Sequence, residues 1–238
     1  MKNGVDIIES FVSWQGEGSN CGKRMIILRY KNCNRVIDKK PCPFCDTLVQ
    51  MRVKSNCFIS YQEIQKIIDQ EKCNIMITGG EPTYDTYFQS TIELMLNLKF
   101  NIMDIESNGY DLVRLINYIH DNNLNDKISG IVNYIYSPKI FNDEELNLEK
   151  ERTLKLIDLS LLNNITIKYV VSDSIYTRQY LDFLSEICDK ENCHNIVYLM
   201  PLGKNRDELI KNSDIVFDMC EEYKFNFSSR DHVIYQFI

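Results

Sequence analysis

Cys33, Cys42 and Cys45 share one short stretch, Cys33-Asn34-Arg35-Val36-Ile37-Asp38-Lys39-Lys40-Pro41-Cys42-Pro43-Phe44-Cys45-Asp46-Thr47. Two thiols at C-x2-C spacing can ligate one metal centre, and a third nearby makes three ligands. The number three matters. A structural zinc site closes on four protein ligands, whereas a cluster held by three thiolates keeps one iron open for another molecule. The chain has three histidines, His120, His194 and His232, and none adjoins the loop, which weakens the case for zinc. On spacing alone the loop stays open between an iron–sulfur cluster, a zinc knuckle completed from afar, and thiols that bind nothing. The other six cysteines (Cys21, Cys57, Cys73, Cys188, Cys193, Cys220) are scattered and read mostly as small buried apolar residues. An odd count of nine in a long chain does not suggest a disulfide framework.

The elements that must position these thiols alternate between short apolar runs and helical periodicity. Strands are predicted at Met25–Tyr30, Asn74–Thr78, Asn101–Glu106, Gly130–Tyr136, Thr166–Val171 and Asn195–Met200. Ser60-Tyr61-Gln62-Glu63 is a capping box that starts a helix running to Glu71. Asp111–His120, Ser174–Lys190 and Asp207–Tyr223 read as further helices, and Ile140–Ser160 as a surface helix without chemistry. Runs such as Ile75-Met76-Ile77 and Tyr169-Val170-Val171 are apolar on both faces, as parallel strands covered by helices must be. The alternation predicts one domain over residues 1–238, an α/β partial (β/α)6 barrel with parallel strands and a cluster loop at 31–47. In parallel sheets chemistry collects at the C-terminal strand ends. The strand ending at Thr78 runs into Gly79-Gly80-Glu81-Pro82, where two glycines let the backbone approach a ligand closely.

A net charge of −7 argues against an electrostatic grip on nucleic acid. No apolar run approaches the roughly 20 residues of a membrane span. The polar start Met1-Lys2-Asn3-Gly4-Val5-Asp6 is not a signal peptide, so a cytoplasmic protein is expected.

The three-cysteine loop, followed one strand later by Gly79-Gly80-Glu81, resembles the radical S-adenosylmethionine (SAM) superfamily. Further segments narrow the likeness to the 7-carboxy-7-deazaguanine synthase family. They are Ser13-Trp14-Gln15-Gly16-Glu17-Gly18, Ile27-Leu28-Arg29-Tyr30, Glu106-Ser107-Asn108-Gly109, Ser137-Pro138-Lys139 and Arg230-Asp231-His232-Val233, in the family's order. One departure stands out. Eight residues separate Cys33 from Cys42 where the family commonly has three, and Cys21 is the alternative third thiol.

The resemblance implies a radical SAM lyase that converts 6-carboxy-5,6,7,8-tetrahydropterin to 7-carboxy-7-deazaguanine and ammonia, in 7-deazapurine (queuosine-type) biosynthesis. Cys33, Cys42 and Cys45 would ligate a [4Fe–4S] cluster. Gly79, Gly80, Glu81, Ser107 and Lys139 would bind SAM, with Phe44 shielding the cluster or stacking near adenine. Gln15, Glu17, Arg29 and His232 would read the pterin, and Thr47, or else Asp46, would offer an oxygen to Mg²⁺. Each residue also has a plainer role open to it: Ser107 as a helix cap, Glu17 and Lys139 as solvated side chains, Phe44 as packing. Arg29 lies in a buried-looking strand and needs a ligand or a partner carboxylate. A homodimer and an electron donor such as a flavodoxin also follow from the resemblance. Two rivals stay open: a radical SAM activase that makes a glycyl radical on a partner enzyme, and a non-catalytic zinc-binding interaction module.

Overall fold

A computed structural model describes residues 3–45, 47–48, 54–172 and 174–237. They group into two compact units, one of Met1–Trp14 with Lys23–Tyr134, the other of Gln15–Gly22 with Ile135–Ile238.

In the first unit Gly4–Ile7 (β1) pairs antiparallel with Cys57–Ser60 (β4). Glu9–Trp14 (β2) pairs antiparallel with Arg24–Tyr30 (β3). β3 runs parallel to Asn74–Gly79 (β5), and β5 parallel to Ile102–Ser107 (β6). The register sets Arg29 opposite Thr78 and Tyr30 opposite Gly79, so the ends of β3 and β5 lie side by side. Ile26, Leu28, Ile75, Ile77, Met103 and Ile105 are fully buried on these strands. Helices Tyr61–Glu71, Asp85–Asn97 and Leu112–Asp121 complete the unit, with a short turn of helix at Asn34–Ile37. The capping box forms as expected, with the Ser60 hydroxyl accepting from Glu63 N–H and the Glu63 carboxylate accepting from Ser60 N–H.

Ile131–Tyr136 (β7) starts in the first unit and ends in the second. The second unit then runs through helix Asp143–Ser160, strand Asn164–Val171 (β8), helix Ile175–Glu191, strand Val197–Pro201 (β9), helix Arg206–Tyr223, the short strand Asn226–Phe227 (β10) and a last helical turn at Asp231–Tyr235. β8, β9 and β10 are parallel neighbours. Ile167, Leu181, Leu184, Val197, Leu199 and Leu209 form its core. The architecture is thus the expected mixed α/β fold with mostly parallel strands. The antiparallel strands β1, β2 and β4 had no counterpart in the expectation, because Glu9-Ser10-Phe11-Val12-Ser13-Trp14 mixes polar and apolar residues without a clean alternation.

Candidate active site

The first unit gathers its site residues at the C-terminal ends of β3, β5 and β6. Cys33 follows β3 and accepts Val36 and Ile37 N–H at its own carbonyl, which starts the helical turn Asn34–Ile37. Cys42 and Cys45 lie at the two ends of a turn closed by Cys45 N–H to Cys42 O at 3.1 Å, with half-buried Phe44 between them in sequence. All three are half-buried and outside any disulfide. Asn108, at the end of β6, brings its amide nitrogen 3.6 Å from Cys33 Sγ and 2.9 Å from Asn34 Oδ1. Burial pushes the Cys33 thiol up to about 11, and the Glu81 charge adds to this. Among the described residues no three His, Cys, Asp or Glu side chains are drawn together around one metal position. The donors nonetheless fit an iron–sulfur cluster in kind: three thiols on one loop, none in a disulfide, without a histidine.

Two glycines fasten the turn after β5 to that loop. Gly79 has φ +103°, and a Cβ there would come 2.2 Å from Arg29 Cγ. At Gly80 a Cβ would come 1.8 Å from Asn32 O, so only glycine lets the two backbones approach this closely. The approach is closed by Gly80 N–H to Tyr30 O and Glu81 N–H to Asn32 O, both 2.8 Å. The Glu81 carboxylate turns inward. Its Oε1 accepts from Thr83 N–H at 3.0 Å, Thr83 Oγ1 at 2.7 Å and Ser107 Oγ at 2.8 Å, and its Oε2 accepts from Asn108 N–H at 2.7 Å. Burial raises its pKa, and these hydrogen bonds oppose the rise. Ser107 does not cap a helix; its hydroxyl donates to Glu81 and accepts Gly109 N–H at 2.9 Å.

Arg29 finds the partner carboxylate that its burial demands, pairing through Nε with Glu9 Oε1 at 2.7 Å. Its Nη1 donates to Thr47 Oγ1 at 3.0 Å. Thr47 is buried and offers one hydroxyl oxygen that already accepts a guanidinium N–H. Asp46 lies outside the described residues.

In the second unit Glu17 is not a solvated side chain. Its Oε2 accepts from Lys168 Nζ at 2.7 Å and its Oε1 from Arg230 Nε at 2.9 Å, with His232 Nε2 3.7 Å from Oε1. Burial favours the neutral acid, but the charges of Lys168, Arg230 and His232 outweigh it and hold the carboxyl far below its usual range. Gln15 is buried, and its carbonyl accepts Gly22 N–H at 2.8 Å. The segment packs tightly on the C-terminal turn: a Cβ on Gly16 would come 2.3 Å from His232 Nδ1. Cys21 belongs here too, donating to Asp231 Oδ2 at 3.1 Å. Lys139, after β7, donates to Ser137 Oγ at 2.6 Å.

The structure therefore joins Cys33, the Gly79-Gly80-Glu81 turn and Ser107 in one network, Arg29 with Thr47 in a second contact, and Glu17 with His232 in the other unit. Lys168, Arg230, Asn108, Thr83 and Glu9 are partners that sequence reasoning did not assign. Lys168 left one signal: a lysine inside an otherwise apolar run, Ile165-Thr166-Ile167-Lys168-Tyr169-Val170-Val171. The helix at Asp143–Ser160 is also less idle than expected. Its buried Glu145 accepts Phe141 N–H at 2.8 Å, and its buried Glu149 meets the Tyr136 hydroxyl and Arg152 Nη1.

The mostly parallel α/β fold, with thiols, a double-glycine turn and polar side chains at the strand ends, is similar to the crystal structure of QueE from Escherichia coli, with a TM-score of 0.53 at 17% identity over 96% of this chain and 95% of that chain. In sequence the chain is similar to several 7-carboxy-7-deazaguanine synthases. It is 24% identical to the one from Hyperthermus butylicus over 97% of this chain and 92% of the relative. The relative from Clostridium acetobutylicum is 25% identical over 82% of this chain and 80% of its own length. The one from Haemophilus influenzae is 35% identical over 44% of this chain and 45% of its own. No protein-family model matches the chain. No helix among the described residues is long and apolar enough to cross a membrane.

Proposed function

We propose that the chain is a single-domain radical SAM enzyme, a 7-carboxy-7-deazaguanine synthase of the carbon–nitrogen lyase type. It would convert 6-carboxy-5,6,7,8-tetrahydropterin to 7-carboxy-7-deazaguanine with loss of ammonia. The observation that carries this reading is the likeness to a synthase of that name along 97% of the chain, with the family's motifs in order.

In this reading Cys33, Cys42 and Cys45 hold a [4Fe–4S] cluster, and Gly79, Gly80, Glu81, Ser107 and Lys139 form the SAM site beside Phe44. Cluster and SAM, when bound, supply the electron and the radical that takes hydrogen from the pterin. The chain's own residues bind and orient. The glycine turn lies directly against the start of the cysteine loop, because Gly79 and Gly80 carry no Cβ, and so holds the SAM site beside the cluster ligands. The Glu81 carboxylate locks that turn to Ser107 and Asn108. Arg29, with a guanidinium positioned by Glu9, is the cation for the substrate's carboxylate, while Gln15, Glu17 and His232 meet the donors and acceptors of the pterin edge. Orientation of this kind is the protein's main contribution to cofactor chemistry. A cytoplasmic homodimer served by a one-electron donor such as a flavodoxin belongs to the same proposal. Thr47, or else Asp46, as the protein's oxygen ligand to a Mg²⁺ that otherwise keeps its waters is part of the same proposal.

The test is an anaerobic assay of the iron-reconstituted protein with SAM, a reductant and the pterin, with and without Mg²⁺, read by mass spectrometry. The expected result is 7-carboxy-7-deazaguanine, lost in the Cys42→Ala/Cys45→Ala variant. SAM cleavage without a deazapurine removes the substrate; bound zinc with intact SAM removes the whole proposal.

A further inference from the structure

We propose that Lys168 is a positioning residue for Glu17: its buried ammonium and the Arg230 guanidinium each take a different oxygen of the carboxylate and fix the plane in which it meets a bound donor edge. The inference rests on the reading of Glu17 as a pterin contact and adds a residue to it.

The geometry starts with burial. Lys168 is 2% exposed in the middle of β8, where a lysine with no anionic partner would be costly. Its ammonium meets Glu17 Oε2 at 2.7 Å, while Arg230 Nε meets Oε1 at 2.9 Å. Two cations on two oxygens define the orientation of the carboxylate, which one cation could not do. The turn that carries Glu17 is held independently. Gly18, at φ +70°, donates its N–H to Ser228 Oγ at 2.7 Å, and Ser19 Oγ meets Thr166 Oγ1, on the strand that bears Lys168, at 3.2 Å. Arg230 is itself tied to Gly203 O at 2.9 Å.

The lone-pair count then separates Glu17 from a saturated structural carboxylate. A carboxylate has about four acceptor positions, and Lys168 and Arg230 occupy one on each oxygen. His232 Nε2, at 3.7 Å, stands beyond hydrogen-bond distance. Among the described residues these contacts leave acceptor capacity on both oxygens, as a two-donor amino-pyrimidine edge requires. The charged groups that face Glu17 among the described residues are Lys168 from β8 and Arg230 and His232 from the C-terminal turn. Asp231 is turned to Cys21 and Ser229. Removing Lys168 would leave burial to act against a carboxylate with one fewer cation, and the Glu17 pKa would rise.

The test uses the full chain, with Lys168→Met and Lys168→Gln as losses of charge and Lys168→Arg as the conservative variant. The Glu17 carboxyl is followed through pH by ¹³C NMR of glutamate-labelled protein, assigned with Glu17→Gln. Wild type should show no Glu17 titration above about pH 4. Both uncharged variants should bring its titration into the observable range, and Lys168→Arg should not. In turnover, the uncharged variants should raise KM for 6-carboxytetrahydropterin about tenfold or more with SAM affinity unchanged, and Lys168→Arg should recover most of the loss. An unmoved Glu17 titration, or full function in Lys168→Gln, overturns the proposal. The NMR titration contains no pterin, so a wild-type protein that makes no deazapurine refutes the function while the role of Lys168 is still decided.

Discussion

Replacing Glu81 with alanine removes the acceptor of four donors at once. Two are backbone amides, Thr83 N–H and Asn108 N–H, and two are hydroxyls, of Thr83 and Ser107. The hydroxyls can rotate toward other acceptors, but the amides are fixed by the chain. Each buried amide left without a partner costs about 1–3 kcal/mol, so the pair costs about 4 kcal/mol. Glutamine is a finer probe. It keeps the Oε1 position with its three donors and sets an NH2 against Asn108 N–H, one bad contact in place of one good one, at about 2 kcal/mol. For a chain of this size 1 kcal/mol moves Tm by about 2–4 °C. The alanine variant should therefore melt about 8–16 °C below wild type and the glutamine variant about 4–8 °C below, read by far-ultraviolet circular dichroism. An alanine variant within about 2 °C of wild type, or a glutamine variant as unstable as the alanine one, would refute the accounting.

Gly80→Ala should be far worse than Gly22→Ala. The first sets a Cβ 1.8 Å from Asn32 O and breaks two loop-closing hydrogen bonds; the second, at φ +82°, meets nothing within 4 Å. Costs of about 3 kcal/mol or more against about 1 kcal/mol are expected in thermal melts, and equal shifts would show that the loops do not touch as described. Glu149 gives a pH dependence. Burial raises its pKa above the ordinary value of 4.5, only partly offset by Arg152 and the Tyr136 hydroxyl. The folded state therefore holds its proton to higher pH than the unfolded state does, and this contribution is full below pH 4.5 and fades as pH rises through the folded value. The Tm of wild type minus that of Glu149→Gln should fall from pH 4 to pH 7, and a rise in this signed difference would reverse the assigned sign.

The strands and helices that position the site were legible because burial on both faces leaves a mark in one sequence. Ile75-Met76-Ile77 cannot be much else, and Ser60 with Glu63 announces the helix that follows. The thiols and glycines were legible for a related reason: few residue types can do their work, so their presence at a strand end is itself a signal. What the sequence hid was pairing. Arg29 demanded a carboxylate, but nothing in the linear order distinguished Glu9 from any other acid; the antiparallel register that sets Glu9 opposite Arg29 chose it. Lys168 and Glu17 stand far apart in sequence and meet only through the fold. Four of the six scattered cysteines are buried as read, while Cys21 and Cys57 are exposed.

Glu17 and Glu81 show what that hidden pairing decides. Both follow glycines, Glu81 is buried and Glu17 mostly so, and the family resemblance casts both as ligand contacts. The folded chain gives them different partners. Glu81 is surrounded by neutral donors that fill its oxygens and come from its own turn and from the end of β6, so its charge holds two loops in register. A side chain is excluded at Gly79 and Gly80 because the turn lies directly against the Arg29–Asn32 segment. Glu17 is surrounded by cations that keep it charged while leaving acceptor positions open. A substitution that preserves volume should hence act differently at the two positions. Glu81→Gln should reduce stability and, through the loosened turn, SAM affinity; Glu17→Gln should spare SAM affinity and weaken the pterin. Finding the same pattern of loss at both positions would mean that acceptor count does not separate the carboxylate that builds the site from the one that reads the substrate.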